Sequence, residues 1–271
     1  MRKILISAEN AEFQIIESLK NNRVKRARYG EIFIEGIESI KQVLKSGLEI
    51  SRIIVTAKIS SWAAGIIKKF EDCPDQKIKI IEMNDVMYRK LCDKDVPSEM
   101  LVTAKLPGIS LDELKLSHNP FIIVLDRPSD MGNLGSVIRS ANSFGVDAVL
   151  ILGHGVDPWD PKTIRASMGS IFFTQPLQLE SLSQLEEYIE FLRNQYGIEV
   201  FGTDSGGTSS LVSRALKRPL MLILGNEAKG MSQALKTMCR ETISIPVSGT
   251  VNSLNIASAA SIFMWEVYRN S

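Results

Sequence analysis

The sequence predicts an α/β protein in two parts, on three observations. Short apolar runs alternate with stretches of helical spacing from Glu31 onward. The later runs, FIIVLD, AVLIL, IEVFGT and PLMLILG, are almost wholly apolar, which suits strands buried on both faces of a mainly parallel sheet. Between the two parts, PGISLDELKLSHNP carries proline at both ends with weak periodicity, which marks a boundary near 107–119.

The elements follow in order. The first thirty residues read as an extra arm, with helical spacing through AEFQIIESLK. EIFIEG (31–36) is a strand and IESIKQVLKSG a helix; SRIIVT (51–56) and SWAAGIIKKFED repeat the pair. KIKIIEM (77–83), the helical NDVMYRKLC and EMLVTAKL (99–106) complete a small α/β domain over residues 1–108. The second domain, 118–271, places strands at 121–126, 148–152, 198–203 and 219–225. GSVIRSANSFG, LSQLEEYIEFLRNQYG and SLNIASAASIFMWEVYRN supply its helices, giving an open α/β sandwich. In such sheets ligands bind beyond the carboxyl ends of the strands.

Composition narrows the function less than pattern does. Among 271 residues, 32 Lys and Arg balance 31 Asp and Glu, so the whole-chain charge favours no class of partner. Cations do concentrate locally: Arg23, Lys25, Arg26 and Arg28 crowd NRVKRARYG, which reads either as a solvated turn or as a strip that contacts phosphates. The 3 cysteines are scattered and outside CxxC spacing, which argues against a disulfide framework or a zinc site and fits a reducing cytoplasm. With only 2 histidines, a histidine-ligated metal centre is not expected. The apolar run in MRKILISAEN is too short for a signal peptide, and no stretch has the length of a membrane span.

Small and polar residues gather where strands hand over to helices. FIIVLD leads into RPSDMGNLG, where Gly132 and Gly135 permit tight turning and Asn133 stands at an expected helix N-cap. LILG leads into NEAKG, with Gly225 and Gly230 framing Asn226, Glu227 and Lys229. ISIP leads through VSGTVNSLN into an Ala- and Ser-rich helix, with Ser248, Asn252, Ser253 and Asn255 crowding its start. Neither a GxGxxG dinucleotide fingerprint after the first strand nor a GxxxxGK[ST] phosphate loop is present, which disfavours a nucleotide-dependent oxidoreductase.

NLGSVIR, ILGNEAKG and IPVSGTVNSLNIASAA, each after an apolar strand and in this order, resemble the three motifs of the SpoU (TrmH-like) class of SPOUT RNA 2′-O-ribose methyltransferases, over about residues 120–270. HGVDPWDPKTIRASMGSIF resembles that family's segment between its first and second motifs, and EIFIEGIESIKQVL the start of its RNA-binding domain, which is similar to ribosomal protein L30e. ISAENAEFQIIESLKNNRVKRARYGE resembles the N-terminal region of ribosomal-RNA methyltransferases of the avilamycin- and thiostrepton-resistance types, the former more closely. The resemblance implies an N-terminal L30e-like domain, a C-terminal SPOUT domain with a trefoil knot, S-adenosylmethionine as methyl donor, and a homodimer with active sites at the subunit interface.

Carried onto this chain, the family's cofactor contacts fall on Gly225, Ile245 and Leu254, and its catalytic residues on Asn133, Arg139, Glu227, Ser253 and Asn255. Arg165 is an additional RNA contact on this reading. A charged Arg139 would bind the phosphate next to the acceptor and steady the emerging oxyanion, because a guanidinium keeps its proton. Asn133 and Glu227 would orient it, while Ser253 and Asn255 hold the loop and ribose. Ribosomal RNA leads over transfer RNA as substrate because of the N-terminal half, and a non-catalytic RNA-binding dimer is the alternative from another class.

Overall fold

A computed structural model describes residues 2–72, 78–93, 96–250 and 253–271. The chain forms two compact units, Met1–Gly108 with Trp159–Phe172, and Ile109–Pro158 with Phe173–Ser271. The expected boundary thus has a second part: a segment from between the first two motifs belongs with the N-terminal unit.

The first unit is built on a 5-stranded sheet of β1 (Arg2–Ile6), β2 (Glu31–Glu35), β3 (Ile50–Thr56), β4 (Lys79–Met83) and β5 (Met100–Lys105), in the order β1-β4-β3-β5-β2. β1, β4 and β3 run parallel, and β5 is antiparallel to β3 and β2. One face buries Phe33, Ile54, Ile81 and Leu101, from alternate positions of their strands, beneath Phe13, Ile16 and Leu19 of α1 (Ala11–Asn21). Met87, Tyr88 and Leu91 of α5 (Asp85–Leu91) join this cluster. Fully burying a side chain such as Phe13 contributes about 1.5–3 kcal/mol. The first thirty residues are therefore no appended arm: β1 extends the sheet and α1 closes its core. α3 (Ile37–Ser46) and α4 (Ser61–Glu71) supply further buried residues, Ile40, Val43, Ala63 and Ile66.

The basic stretch is a helix rather than a turn. Asn22 caps α2 (Arg23–Tyr29), accepting from the Lys25 amide at 3.1 Å, and Gly30 ends it with φ of 61°. In the same unit, α7 (Pro161–Ala166) packs on β2 with Asp160 as its N-cap.

The second unit carries a 7-stranded sheet whose pairings are all parallel. Its order is β10-β12-β9-β11-β6-β7-β8, from β6 (Phe121–Asp126), β7 (Ala148–Leu152), β8 (Pro176–Leu179), β9 (Glu199–Thr203), β10 (Ser209–Ser210), β11 (Leu220–Leu224) and β12 (Glu241–Ser244). Every residue of β6, β7 and β11 is buried, as their composition requires. α8 (Leu182–Tyr196) covers Ile122, Val124, Leu150 and Val200 with Leu185, Ile189 and Leu192. α6 (Met131–Ser143) and α10 (Ile256–Arg269) pack on each other, with the Ser140 and Ser261 hydroxyls 2.8 Å apart. The 109–119 stretch is no loose linker, since Leu111, Leu114 and Leu116 pack against the α8 core.

Successive strands are added on one side of β6 through β7 and β8, then on the other through β11, β9 and β12. The carboxyl ends of β6, β9, β11 and β12 therefore stand at the point where the winding reverses, where open parallel sheets leave a crevice.

Candidate functional site

The loop after β6 is organised by Asp130, whose carboxylate accepts from the Asn133 amide at 2.7 Å. Asp130, not Asn133, is the N-cap of α6. Asn133 is displaced into the first turn, and its side chain is free for other work. It accepts at Oδ1 from Nδ2 of Asn255 at 2.9 Å. Asn255 is itself an N-cap, of α10, and its Oδ1 accepts from the amides of Ala257 at 2.9 Å and Ser258 at 3.4 Å. One asparagine thus starts the last helix and ties it to the first motif.

The turn after β11 closes on itself, with reciprocal backbone hydrogen bonds between Asn226 and Gly230 at 3.1 and 2.8 Å. A Cβ at Gly225 would fall 2.4 Å from the Met231 nitrogen and 2.6 Å from the Gly230 carbonyl carbon, so only glycine lets this turn fold back. Asn226 donates from Nδ2 to the Arg127 carbonyl at 2.7 Å and accepts at Oδ1 from the amides of Ala228 and Lys229. Glu227 accepts at one carboxylate oxygen from the Ser129 hydroxyl at 2.6 Å and the Ser129 amide at 3.2 Å. Sequence reasoning passed over Ser129 and gave Asn226 no role. Asn226 is signalled by an asparagine after glycine at a strand end, whereas nothing local marks Ser129.

These loops enclose a cleft of about 470 Å³, lined by Asn133, Gly225, Glu227, Ile245, Ser253, Leu254 and Asn255. Four of the five expected catalytic residues, all but Arg139, line it together with the three expected cofactor contacts Gly225, Ile245 and Leu254; Asn252 lies outside the described residues. Leu224, Ile243 and Phe263 add apolar surface. A further wall comes from the 204–206 turn, missed in the sequence, where Asp204 accepts from the Gly206 amide at 2.9 Å and pairs with Lys236 at 2.5 Å. The Lys236 hydrogen bond, then that of the Gly206 amide, hold the Asp204 carboxyl below its ordinary range. The cleft thus combines apolar walls with the carboxylate of Glu227, Asp204 being neutralised by Lys236, a combination suited to a cationic organic ligand with an aromatic base.

Other expected residues lie elsewhere. Arg139 is exposed on α6 and does not line the cleft. Six residues of helix carry it about 120° around the axis from Asn133 and about 9 Å along it. Of the basic cluster, Arg23 and Arg28 are exposed and Lys25 half-buried, whereas Arg26 is buried. The Arg26 guanidinium donates to the carbonyls of Leu19 and Lys20 at 2.8 and 2.9 Å and pairs with Asp160 at 3.1 Å, so it cannot offer itself to a phosphate on the surface. Arg165 is the counter-charge of the fully buried Glu35, at 2.8 Å, and lies 3.5 Å from Asp93. These pairs tie the 159–172 segment to the rest of the first unit; Arg26 is committed to them, whereas Arg165 keeps part of its side chain exposed.

Comparison with known proteins also falls into two regions. Residues 120–265 match the SpoU rRNA Methylase family, and residues 10–100 match the SpoU L30e-like domain. The 23S rRNA (uridine(2479)-2′-O)-methyltransferase of Streptomyces viridochromogenes is 31% identical over 269 residues, 97% of this chain and 91% of that one. The 23S rRNA (guanosine(2553)-2′-O)-methyltransferase RlmP of Bacillus subtilis is 26% identical, covering 93% and 98%. The crystal structure of the SpoU methyltransferase AviRb from Streptomyces viridochromogenes in complex with AdoMet superposes with a TM-score of 0.88, at 30% identity over 96% of this chain and 98% of that one. With both of its regions matched and its three motifs drawn into one cleft, the chain belongs to the SpoU rRNA methylase family.

Proposed function

We propose that the protein transfers the methyl group of S-adenosylmethionine to a ribose 2′-hydroxyl of 23S ribosomal RNA, acting as a cytoplasmic homodimer. The observation that carries this reading is the convergence of Asn133, Glu227 and Asn255 on a cleft with apolar walls at the crossover of a parallel sheet. Its volume of about 470 Å³ lies within the range of cofactor pockets, and Ile245 and Leu254 offer apolar surface for adenine. When bound, the sulfonium supplies a methyl group that is already activated.

The chain's own task is alignment and charge. Glu227, fixed by Ser129, contributes negative charge toward a cationic donor, and the Asn133–Asn255 pair sets the distance between the first and third motifs. A cation must also face the acceptor oxygen. Arg139 is the candidate from the motifs, yet it does not line the cleft of its own chain, and in this reading the Arg139 of a second copy supplies the cation. Ile262, Trp265 and Tyr268, exposed along α10 beside α6, form an apolar face consistent with that association. The reading also brings the trefoil knot that the motifs imply. Among the described residues no helix is long and apolar enough to cross a membrane.

Mapping 2′-O-methyl groups on ribosomal and transfer RNA after incubation with the protein and donor tests the proposal. A new 2′-O-methyl group in 23S RNA is expected. Modification of transfer RNA alone would reassign the substrate, and modification of neither would overturn the enzymatic reading.

A further inference from the structure

A second cleft, of about 430 Å³, lies in the same unit beside the first. It is formed by three loops, 127–129 after β6, 153–156 after β7 and 226–229 after β11. Asn226 lines both clefts, and the Ser129–Glu227 hydrogen bond runs from a residue of one to a residue of the other.

The floor of this cleft is rigidly built. Arg127 has φ of 47° and Gly153 φ of 72°, left-handed conformations that cost free energy at a non-glycine residue. The Val156 amide donates to the Pro128 carbonyl at 2.9 Å, and a Cβ on Gly155 would fall 2.8 Å from Pro128 Cδ, so the loops after β6 and β7 are in direct contact. The two Asn226 functions, to the Arg127 carbonyl and to the amides of its own turn, lock the third loop onto the first.

Its charge is opposite to that of the first cleft. Arg127 is chelated by the buried Asp126 through two hydrogen bonds of 2.8 Å, which leaves that pair neutral. Lys229 is exposed and has no ion-pair partner among the described residues. His154 is exposed at the same rim, and no carboxylate residue lines the cleft. A donor cleft bearing the Glu227 carboxylate next to a cleft bearing the Lys229 ammonium sorts a cation from an anion over a short distance.

We propose that this second cleft seats a phosphodiester of the RNA strand next to the methyl-accepting nucleotide, with Lys229 as its counter-charge and His154 as a rim contact. The proposal rests on the reading of the protein as an RNA methyltransferase. It adds a phosphate contact on the chain that holds the donor, separate from the Arg139 of the second copy. The rigid floor fixes the strand relative to Glu227, so that one phosphate contact sets the register of the acceptor ribose.

Equilibrium binding of a 23S ribosomal RNA transcript to Lys229→Gln, Lys229→Arg and the unaltered protein, at several salt concentrations, tests this. Lys229→Gln is expected to weaken RNA binding about 3- to 10-fold and to lower the slope of log affinity against log salt by roughly one unit, with Lys229→Arg restoring both. S-adenosylhomocysteine affinity by calorimetry is expected to stay unchanged in both variants. RNA affinity and slope equal to those of the unaltered protein in Lys229→Gln would overturn the proposal. So would a loss with unchanged slope, a loss that arginine does not restore, or an unaltered protein that binds no RNA. None of these measurements needs turnover, so a failure of methyl transfer would sink the enzymatic reading while the binding data still decide the role of the cleft.

Discussion

Asn255 donates from Nδ2 to Oδ1 of Asn133 at 2.9 Å while its own Oδ1 caps α10. The two halves of one amide thus serve folding and the cleft separately. Asn255→Asp keeps a good capping oxygen but replaces the donor with a second acceptor facing Asn133. Its melting temperature should stay close to that of the unaltered protein while methyl transfer falls at least tenfold. Asn255→Ala should lose both, with about 1 kcal/mol of stability. Equal activity in the aspartate variant and the unaltered protein would show that the link to Asn133 is not needed.

Gly225→Ala should abolish donor binding. The added methyl meets backbone atoms of Gly230 and Met231 rather than a movable side chain, so the 225–231 turn must open and carry Glu227 with it. Calorimetry with S-adenosylhomocysteine should show affinity reduced more than tenfold. Wild-type affinity would mean that the turn adapts and that Gly225 is not required.

The sheets were legible in the sequence because their strands are buried on both faces and so announce themselves as apolar runs. β1 was not, since RKILI begins with two cations and is an edge strand whose role depends on pairing with Lys79–Met83, far along the chain. β8 and β10 are short strands at the two edges of their sheet and were not expected, whereas β12 was read in part, from ISIP. The motif residues were legible as a set, but the capping assignment was not. Asp130 and Asn133 both qualify as N-caps by composition, and three-dimensional contact with Asn255 decides which one is spared. The ion pairs of Arg26 and Arg165 were hidden for a related reason: neither residue carries a local sign that Asp160 or the buried Glu35 is its partner.

The four cations of NRVKRARYG should therefore separate into two classes. Arg26→Ala leaves two carbonyls and the Asp160 carboxylate short of a partner in a buried place, and should cost roughly 2–3 kcal/mol of stability. Neutralising Lys25 and Arg28 together should leave urea unfolding nearly unchanged and lower the salt dependence of RNA binding. Chemical denaturation and RNA titrations on both variants check this. An Arg26→Ala protein as stable as the unaltered one would refute the structural role.

Stability should also carry the signature of Glu12. Burial raises its carboxyl, but the hydrogen bonds and charges of Arg52 and Lys79 together outweigh burial and hold it below the ordinary value of 4.5. A depressed folded-state value means that the stabilisation is fully present above about pH 4.5 and is lost as pH falls through the lower folded-state value. Glu12→Gln should cost roughly 1–2 kcal/mol at pH 7, with Arg52 still paired to Glu31, and the gap between the two proteins should narrow below pH 4.5. A gap that stays constant from pH 7 to pH 3 would remove Glu12 from the account.

Arg139 gives the sharpest test of assembly. On its own chain it is exposed on α6, about 120° around the helix from Asn133, and does not line the cleft. If it serves a second copy, Arg139→Ala and Gly225→Ala should each be inactive alone, for different reasons. A mixed dimer then has one site built from an intact cleft and the other chain's intact Arg139. Random exchange of equal amounts should restore about a quarter of wild-type activity, because half of the dimers are mixed and each holds one complete site of two. Methyl transfer should therefore reappear when the two inactive proteins are unfolded together and refolded, and should not reappear when either is refolded alone. Continued inactivity of the mixture, with light scattering showing that mixed dimers form, would place Arg139 in the cleft of its own chain or remove it from the reaction.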